Sequence, residues 1–170
     1  MKNKQELLDD LKVARAELLS AIEGLSEQEM ACPGVVGEWS VKDTLAHIAA
    51  WDKETRTVLH AFVTQEEPVF DYKISGKRGF AKWNAQQVEK RRDLSVAQIL
   101  AEMEEARREL VELVQGLAEE QLSRRAVPPW RYPTTARRNL EIQAQHDREH
   151  AEQIIAWREQ VSLRGLPRAD

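Results

Sequence analysis

The chain has 170 residues, 42% of them hydrophobic and 32% charged, with a formal net charge of −4 at neutral pH. That length suits one domain, expected here over 1–170, and the apolar content can bury a core without disulfides or a structural metal. Lys and Arg are interleaved with Glu and Asp and form no basic stripe, which argues against nucleic acid as the main partner.

From Lys4 to Leu25, apolar residues recur at Leu7, Leu11, Ala14, Leu18, Ile22 and Leu25, the spacing of an amphipathic helix. Ser26 followed by Glu29 reads as a capping box for one further turn, and Cys32-Pro33-Gly34 with Gly37 reads as a loop. Cys32 is the single cysteine, so no internal disulfide forms and a reducing cytoplasm suits the chain. With nothing basic beside it in sequence, Cys32 reads as a half-buried loop residue and not a reactive thiol. The opening residues have no apolar run like a signal peptide, and no later segment is long and apolar enough to span a bilayer. The expectation is a cytoplasmic protein with no membrane partner.

Ser40 caps a second helix, from about Val41 to Thr64, with Asp43 in its first turn. On a wheel of 100° per residue, His47, Trp51, Glu54, Val58 and Phe62 share one side and are expected inward. His60 falls with Lys42, Ala49 and Lys53 on the far side and is expected in solvent. Glu66 to Gly79 reads as a long irregular crossover, and Phe80 to Arg92 as a short helix carrying Trp83 and Val88 inward. Ser95 with Gln98 caps a third long helix, with Ile99, Met103, Ala106, Leu110, Leu113 and Leu117 along its seam. One turn over Glu119 to Ser123 and a loop from Ala126 to Pro133 lead to a last helix, capped by Thr134 or Thr135 and reaching about Val161. The tail Ser162 to Asp170 has little to bury. Four pairs, Arg91/Arg92, Arg107/Arg108, Arg124/Arg125 and Arg137/Arg138, mostly have acidic neighbours and read as solvated, salt-bridged faces. No segment alternates as a strand would, so the pattern predicts an all-α four-helix bundle with a long second crossover.

The candidate chemistry sits on the last helix, where His146 and His150 lie one turn apart with backbones about 6 Å from each other. His47 from the second helix would complete a three-nitrogen site for a divalent ion such as Zn²⁺ or Ni²⁺, with coordination positions left for water, thiolate or substrate. Around it the wheels place Trp51, Glu54, Gln143, Gln153 and Trp157, while Trp39, Trp130 and Tyr132 lie in loops that could form a rim. Glu54 is the candidate acid-base group, and Trp39, Trp51, Trp130, Tyr132 and Trp157 are the candidate substrate pocket. Spacing alone leaves open that these histidines are surface or core residues, that the tryptophans are core anchors, and that Glu54 only supports its neighbours. The order His146-Asp147-Arg148-Glu149-His150 also matches the H-x-x-E-H pattern of some metallopeptidases, but only 20 residues follow it. That match is read as accidental.

The runs GEWSVKDTLAHIAAWDKE (Gly37 to Glu54) and QHDREHAEQIIAWRE (Gln145 to Glu159) resemble the DinB-like superfamily of small helical bundles. The stretch KWNAQQVEKRRDLSVAQILAEMEEARRELVELVQGL is similar to the middle of the branch that includes the colibactin self-resistance protein. The resemblance implies a DinB/YfiT-like metalloenzyme fold with its four helices up-up-down-down, a divalent metal on His47, His146 and His150, and a homodimer. Some members use a low-molecular-weight thiol, activated by the metal, against a small electrophile. The colibactin-protective branch opens a cyclopropane by hydrolysis, and other members follow stress or DNA damage in expression. The expectation is therefore a metal-dependent thiol transferase or hydrolase acting on a small molecule; the alternatives are a ligand- or toxin-sequestering protein, a stress-related protein, a cyclopropane hydrolase-like resistance protein, or an interaction module whose histidines only stabilise the bundle.

Overall fold

Capping sets where the helices begin. In the computed structural model, which describes residues 2–65, 69–70, 72–130 and 132–163, Asn3 accepts from the Glu6 backbone N–H while Glu6 reaches back to that of Asn3, opening α1 (Lys4–Ile22). Glu23 has ψ 134° and Gly24 takes φ 76°, so α1 stops before Leu25. Reciprocal caps at Ser26/Glu29, Ser40/Asp43 and Ser95/Gln98 open α2 (Glu27–Met30), α3 (Val41–Thr64) and α5 (Val96–Gln115). Between α3 and α5 lies α4 (Gly76–Glu89), which starts four residues before Phe80. The turn α6 (Glu119–Leu122) precedes α7 (Ala136–Leu163), where Thr135 Oγ1 accepts from the Arg138 N–H at 3.1 Å.

Two short ribbons depart from the strand-free expectation. β1 (Pro33–Val36) pairs antiparallel with β2 (Trp39–Ser40), and β3 (Arg125–Ala126) with β4 (Thr134–Thr135). Strands of two to four residues are too short to show an alternating pattern in sequence. Gly37 bends the first ribbon at φ 60°. Of the expected crossover Glu66 to Gly79, Glu66 to Pro68 and Asp71 lie outside the described residues, as do Arg131 in the later loop and positions 164–170 of the tail. The last helix runs two residues beyond Val161.

The four long helices α1, α3, α5 and α7 form the expected all-α bundle with a long second crossover, but their directions differ from up-up-down-down. Asp10 meets Arg148 at 2.6 Å and the Ala21 carbonyl accepts from Arg158 at 2.7 Å, so α1 and α7 are parallel. Lys42 donates to the Arg92 carbonyl just ahead of α5 and Lys53 pairs with Glu102, which makes α3 and α5 parallel. Lys4 donates to the carbonyl of Gln115 and Arg15 to that of Met103, so α1 and α5 are antiparallel. The order is up-down-down-up. The cause is the first connection, 23–40: it folds into α2 and a hairpin at one end of the bundle and does not travel back along it.

Buried apolar residues form two clusters, one holding Leu18, Leu45, Ile99 and Ile154, the other Leu11, Leu59, Leu110 and Leu140. Ala49, placed outward by the wheel, is fully buried: on so central a helix both flanks meet neighbours. Leu113 is only partly buried, as are Trp83 and Val88 on α4. Three of the Arg pairs are split, with Arg91, Arg107 and Arg137 buried while Arg92 and Arg108 pair with exposed carboxylates and Arg138 with the half-buried Glu141. No helix among the described residues is long and apolar enough to cross a membrane.

Candidate metal centre and adjoining cavity

Because α3 and α7 are antiparallel, His47 on the first faces the pair His146 and His150 on the second. The Nε2 atoms of His47 and His146 are 2.9 Å apart, and those of His146 and His150 are 3.0 Å apart. One ligand atom from each ring lies within 4.8 Å of the others. His47 and His150 are buried and His146 is half-buried. His60, as expected, is exposed. Burial is the first cause that holds these rings neutral, taking His47 down to about 2 and His146 to about 3, with the neighbouring imidazoles adding to it. His150 is lowered too, by burial, although its bond to Gln153 works the other way.

The donor set fits a divalent ion. Two nitrogens bound to one zinc-type ion at roughly 2.0–2.1 Å can be no more than about 4.2 Å apart; the Nε2 pairs at 2.9 and 3.0 Å satisfy that limit, and the third pair, His47 with His150, lies within 4.8 Å. His150 Nδ1 lies 2.8 Å from Gln153 Oε1, an atom that only accepts. The ring must carry its proton on Nδ1, which leaves the Nε2 lone pair facing the centre. Nδ1 of His47 and of His146 is buried with no hydrogen-bond partner among the described residues. Neutral imidazoles, one fixed in the ligating tautomer, are the form a metal requires.

Below the triad lies a charged layer that the sequence reading did not find. Arg15 pairs with Asp52 at 2.6 Å and with Asp147 at 2.9 Å; Arg107 meets the same two carboxylates at 2.9 and 3.0 Å. Further guanidinium donors reach the carbonyls of Leu11 and Met103. Burial alone would raise Asp52, but Arg107 and Arg15 hold it below the usual carboxylate range. Burial likewise opposes the charge of Arg15, and Asp52 and Asp147 outweigh it. Two cations and two anions balance, so the layer is neutral overall. Its trace in the sequence is positional: Arg15 stands between Leu11 and Leu18, and Arg107 between Met103 and Leu110, where the seam calls for an apolar residue.

A cavity of about 490 Å³ opens beside the triad, with His47 and His146 in its wall. Trp51, Trp130 and Tyr132 line it as the sequence suggested, joined by Phe80, Asn84, Thr55 and Asn139, which it did not suggest. Trp51 is central: its ring lies 4.3 Å from that of Trp83, 6.0 Å from Phe80 and 5.9 Å from Trp130, and its N–H donates to Asn84 Oδ1. Trp39 is not in the wall but packs on His47 at 5.1 Å. Trp157 is buried in the apolar core against Gly34, away from the cavity. Glu54 is also outside the wall; it accepts from the Tyr72 hydroxyl. Burial raises the Glu54 carboxyl and the Tyr72 bond only partly offsets it. Glu149 of the H-x-x-E-H order is exposed, which removes the metallopeptidase arrangement. Gln143, by contrast, both lines the cavity and donates to Asp52 Oδ1 at 2.9 Å.

These features define a helical bundle with a tri-histidine cluster at the edge of an aromatic cavity. The DinB superfamily matches residues 10–154, and the chain belongs to it. Among solved structures, it is similar to the colibactin self-resistance protein ClbS in complex with a dsDNA, with 15% identity, TM-score 0.79, and 94% of this chain and 97% of that one covered. YfiT from Bacillus subtilis, described as a probable metal-dependent hydrolase with an unusual four-helix bundle topology, has 19% identity and TM-score 0.71 over 96% of this chain and 89% of YfiT. A mycothiol-dependent maleylpyruvate isomerase has 14% identity and TM-score 0.71, covering 91% of this chain and 63% of the isomerase. At such identities the likeness concerns the fold alone. No curated protein matches the chain.

Proposed function

We propose that the protein is a divalent-metal-dependent enzyme that joins a low-molecular-weight thiol to a small electrophile. The observation that carries this is the convergence of three neutral imidazole nitrogens, two of them from residues in the wall of an apolar cavity large enough for a small molecule. His47, His146 and His150 would hold Zn²⁺ or Ni²⁺. A divalent ion there lowers the pKa of a bound thiol or water, supplying a nucleophile at neutral pH. The chain's own residues do the rest: Trp51, Phe80 and Trp130 bind the apolar body of the electrophile and exclude water. Among the described lining residues there is no carboxylate, so no general base stands ready to take a proton from water. A thiol ionises far more readily and needs less help, which favours thiol over water as the nucleophile.

The same lack of a carboxylate supports a second reading, in which the cavity holds a ligand or toxin without turnover. Purified protein loaded with zinc or nickel is incubated with monobromobimane and a panel of small thiols. Turnover that disappears in His47→Ala supports the enzyme. A ligand that raises the melting temperature of wild type and of His146→Ala alike, and is recovered unchanged, supports sequestration.

A further inference from the structure

The polar atoms of the cavity point to what it selects. Asp52 is an ionised carboxylate that can only accept, so the side-chain amide of Gln143 must turn its NH₂ toward it, as the 2.9 Å contact shows. Asp52 is in turn held by Arg15 and Arg107, so the amide cannot flip without leaving a buried charge short of a donor. Gln143 Oε1 is thereby left as a fixed acceptor on a residue that lines the cavity. One turn earlier on the same face of α7, Asn139 also lines the cavity, and its Nδ2 is buried with no acceptor among the described residues. Thr134 Oγ1, another lining residue's polar atom, is likewise without a partner. Native proteins leave few buried polar groups unpaired, and such a group beside a cavity is in position to be satisfied by water or by a ligand that enters it. Trp51 adds no polar group of its own, because its indole N–H is committed to Asn84. It offers, with Phe80 and Trp130, only flat apolar surface.

We propose that the cavity selects a planar aromatic or heteroaromatic small molecule with an amide-type edge, whose carbonyl oxygen accepts from Asn139 and whose N–H donates to Gln143. This rests on the reading of the cavity as the substrate site, and it names the class of substrate. The aromatic walls supply affinity for any flat molecule, and the two amides of α7 supply the choice among them, because a ligand lacking the edge leaves both unpaired.

The test is calorimetric titration with carbostyril, a bicyclic aromatic lactam, and with N-methylcarbostyril, which keeps the carbonyl but lacks the N–H. Both are run on metal-loaded and on metal-stripped protein. The expected result is roughly tenfold tighter binding of carbostyril in both forms. In Gln143→Met the difference between the two ligands disappears, and Asn139→Leu weakens both by a similar factor. Equal affinities in wild type overturn the proposal without recourse to any variant. So does a preference present only with metal, which would assign recognition to the ion and leave the metal reading intact. Conversely, carbostyril selection in a protein that turns over no thiol removes the proposed reaction and leaves this inference standing.

Discussion

Gln153 is a side chain whose role follows from hydrogen-bond chemistry alone. By accepting from His150 Nδ1 it fixes which nitrogen faces the centre. Replacing it by leucine frees the ring, and the account predicts a loss of about 10–100-fold in zinc affinity by competition with a chromogenic chelator. An unchanged affinity would show that ring orientation is set elsewhere. The histidines also give the metal-free protein a pH dependence of definite sign. Burial lowers His47 and His150 from an ordinary 6.5, so below that value the unfolded chain takes up protons that the folded one refuses. Their stability contribution is full above 6.5 and is lost as pH falls, for His47 by about 1.4 kcal/mol one unit below that value. Denaturant unfolding of metal-stripped protein at about pH 7.5 and about pH 5.5 should show this decline, smaller in His47→Ala. At this scale helical spacing separated His47 from His60 correctly. It failed for Ala49, because a wheel shows direction but not how many neighbours surround a helix; Arg107 was misread from its acidic neighbours although its spacing falls on the buried seam.

Capping residues made the helix starts legible. Ser40 accepts from Asp43 N–H at 3.1 Å while Asp43 accepts from Ser40, and α3 begins where that pair predicts. Ser40→Ala should lower unfolding free energy by about 1 kcal/mol in urea titration; a change near zero would mean tertiary packing alone places the helix end. The ribbons were not legible, since two- and four-residue strands are set by the chain reversals around them and not by pattern. Helix direction was equally hidden. The antiparallel pairing of α3 and α7, which puts His47 opposite His146 and Asp52 opposite Gln143, is common to both orders; what no periodicity reveals is the path of the short first connection, which turns α1 against α3.

Across the whole molecule, two apolar clusters are separated by the Arg15, Asp52, Arg107 and Asp147 layer, with the triad and cavity beside it. The layer costs desolvation and contributes little net stability while complete, but removing one partner exposes the imbalance. Asp52→Asn should therefore destabilise by about 3–5 kcal/mol in chemical denaturation. A loss under about 1 kcal/mol would mean the arginines find water instead. The layer stayed out of reach because charged residues on amphipathic helices ordinarily mark the solvent face, and only their mutual neutrality at core positions argues otherwise. The inward position of His47 was legible from helical spacing, while the grouping of the three histidines as ligands drew on the resemblance to the DinB-like superfamily.

The most direct test is elemental analysis of the protein after exposure to zinc and extensive dialysis, beside the His47→Ala, His146→Ala, His150→Ala triple variant. The account predicts about one divalent ion per chain in the wild type and essentially none in a folded triple variant. Equal metal content in the two, or none in either, would contradict it.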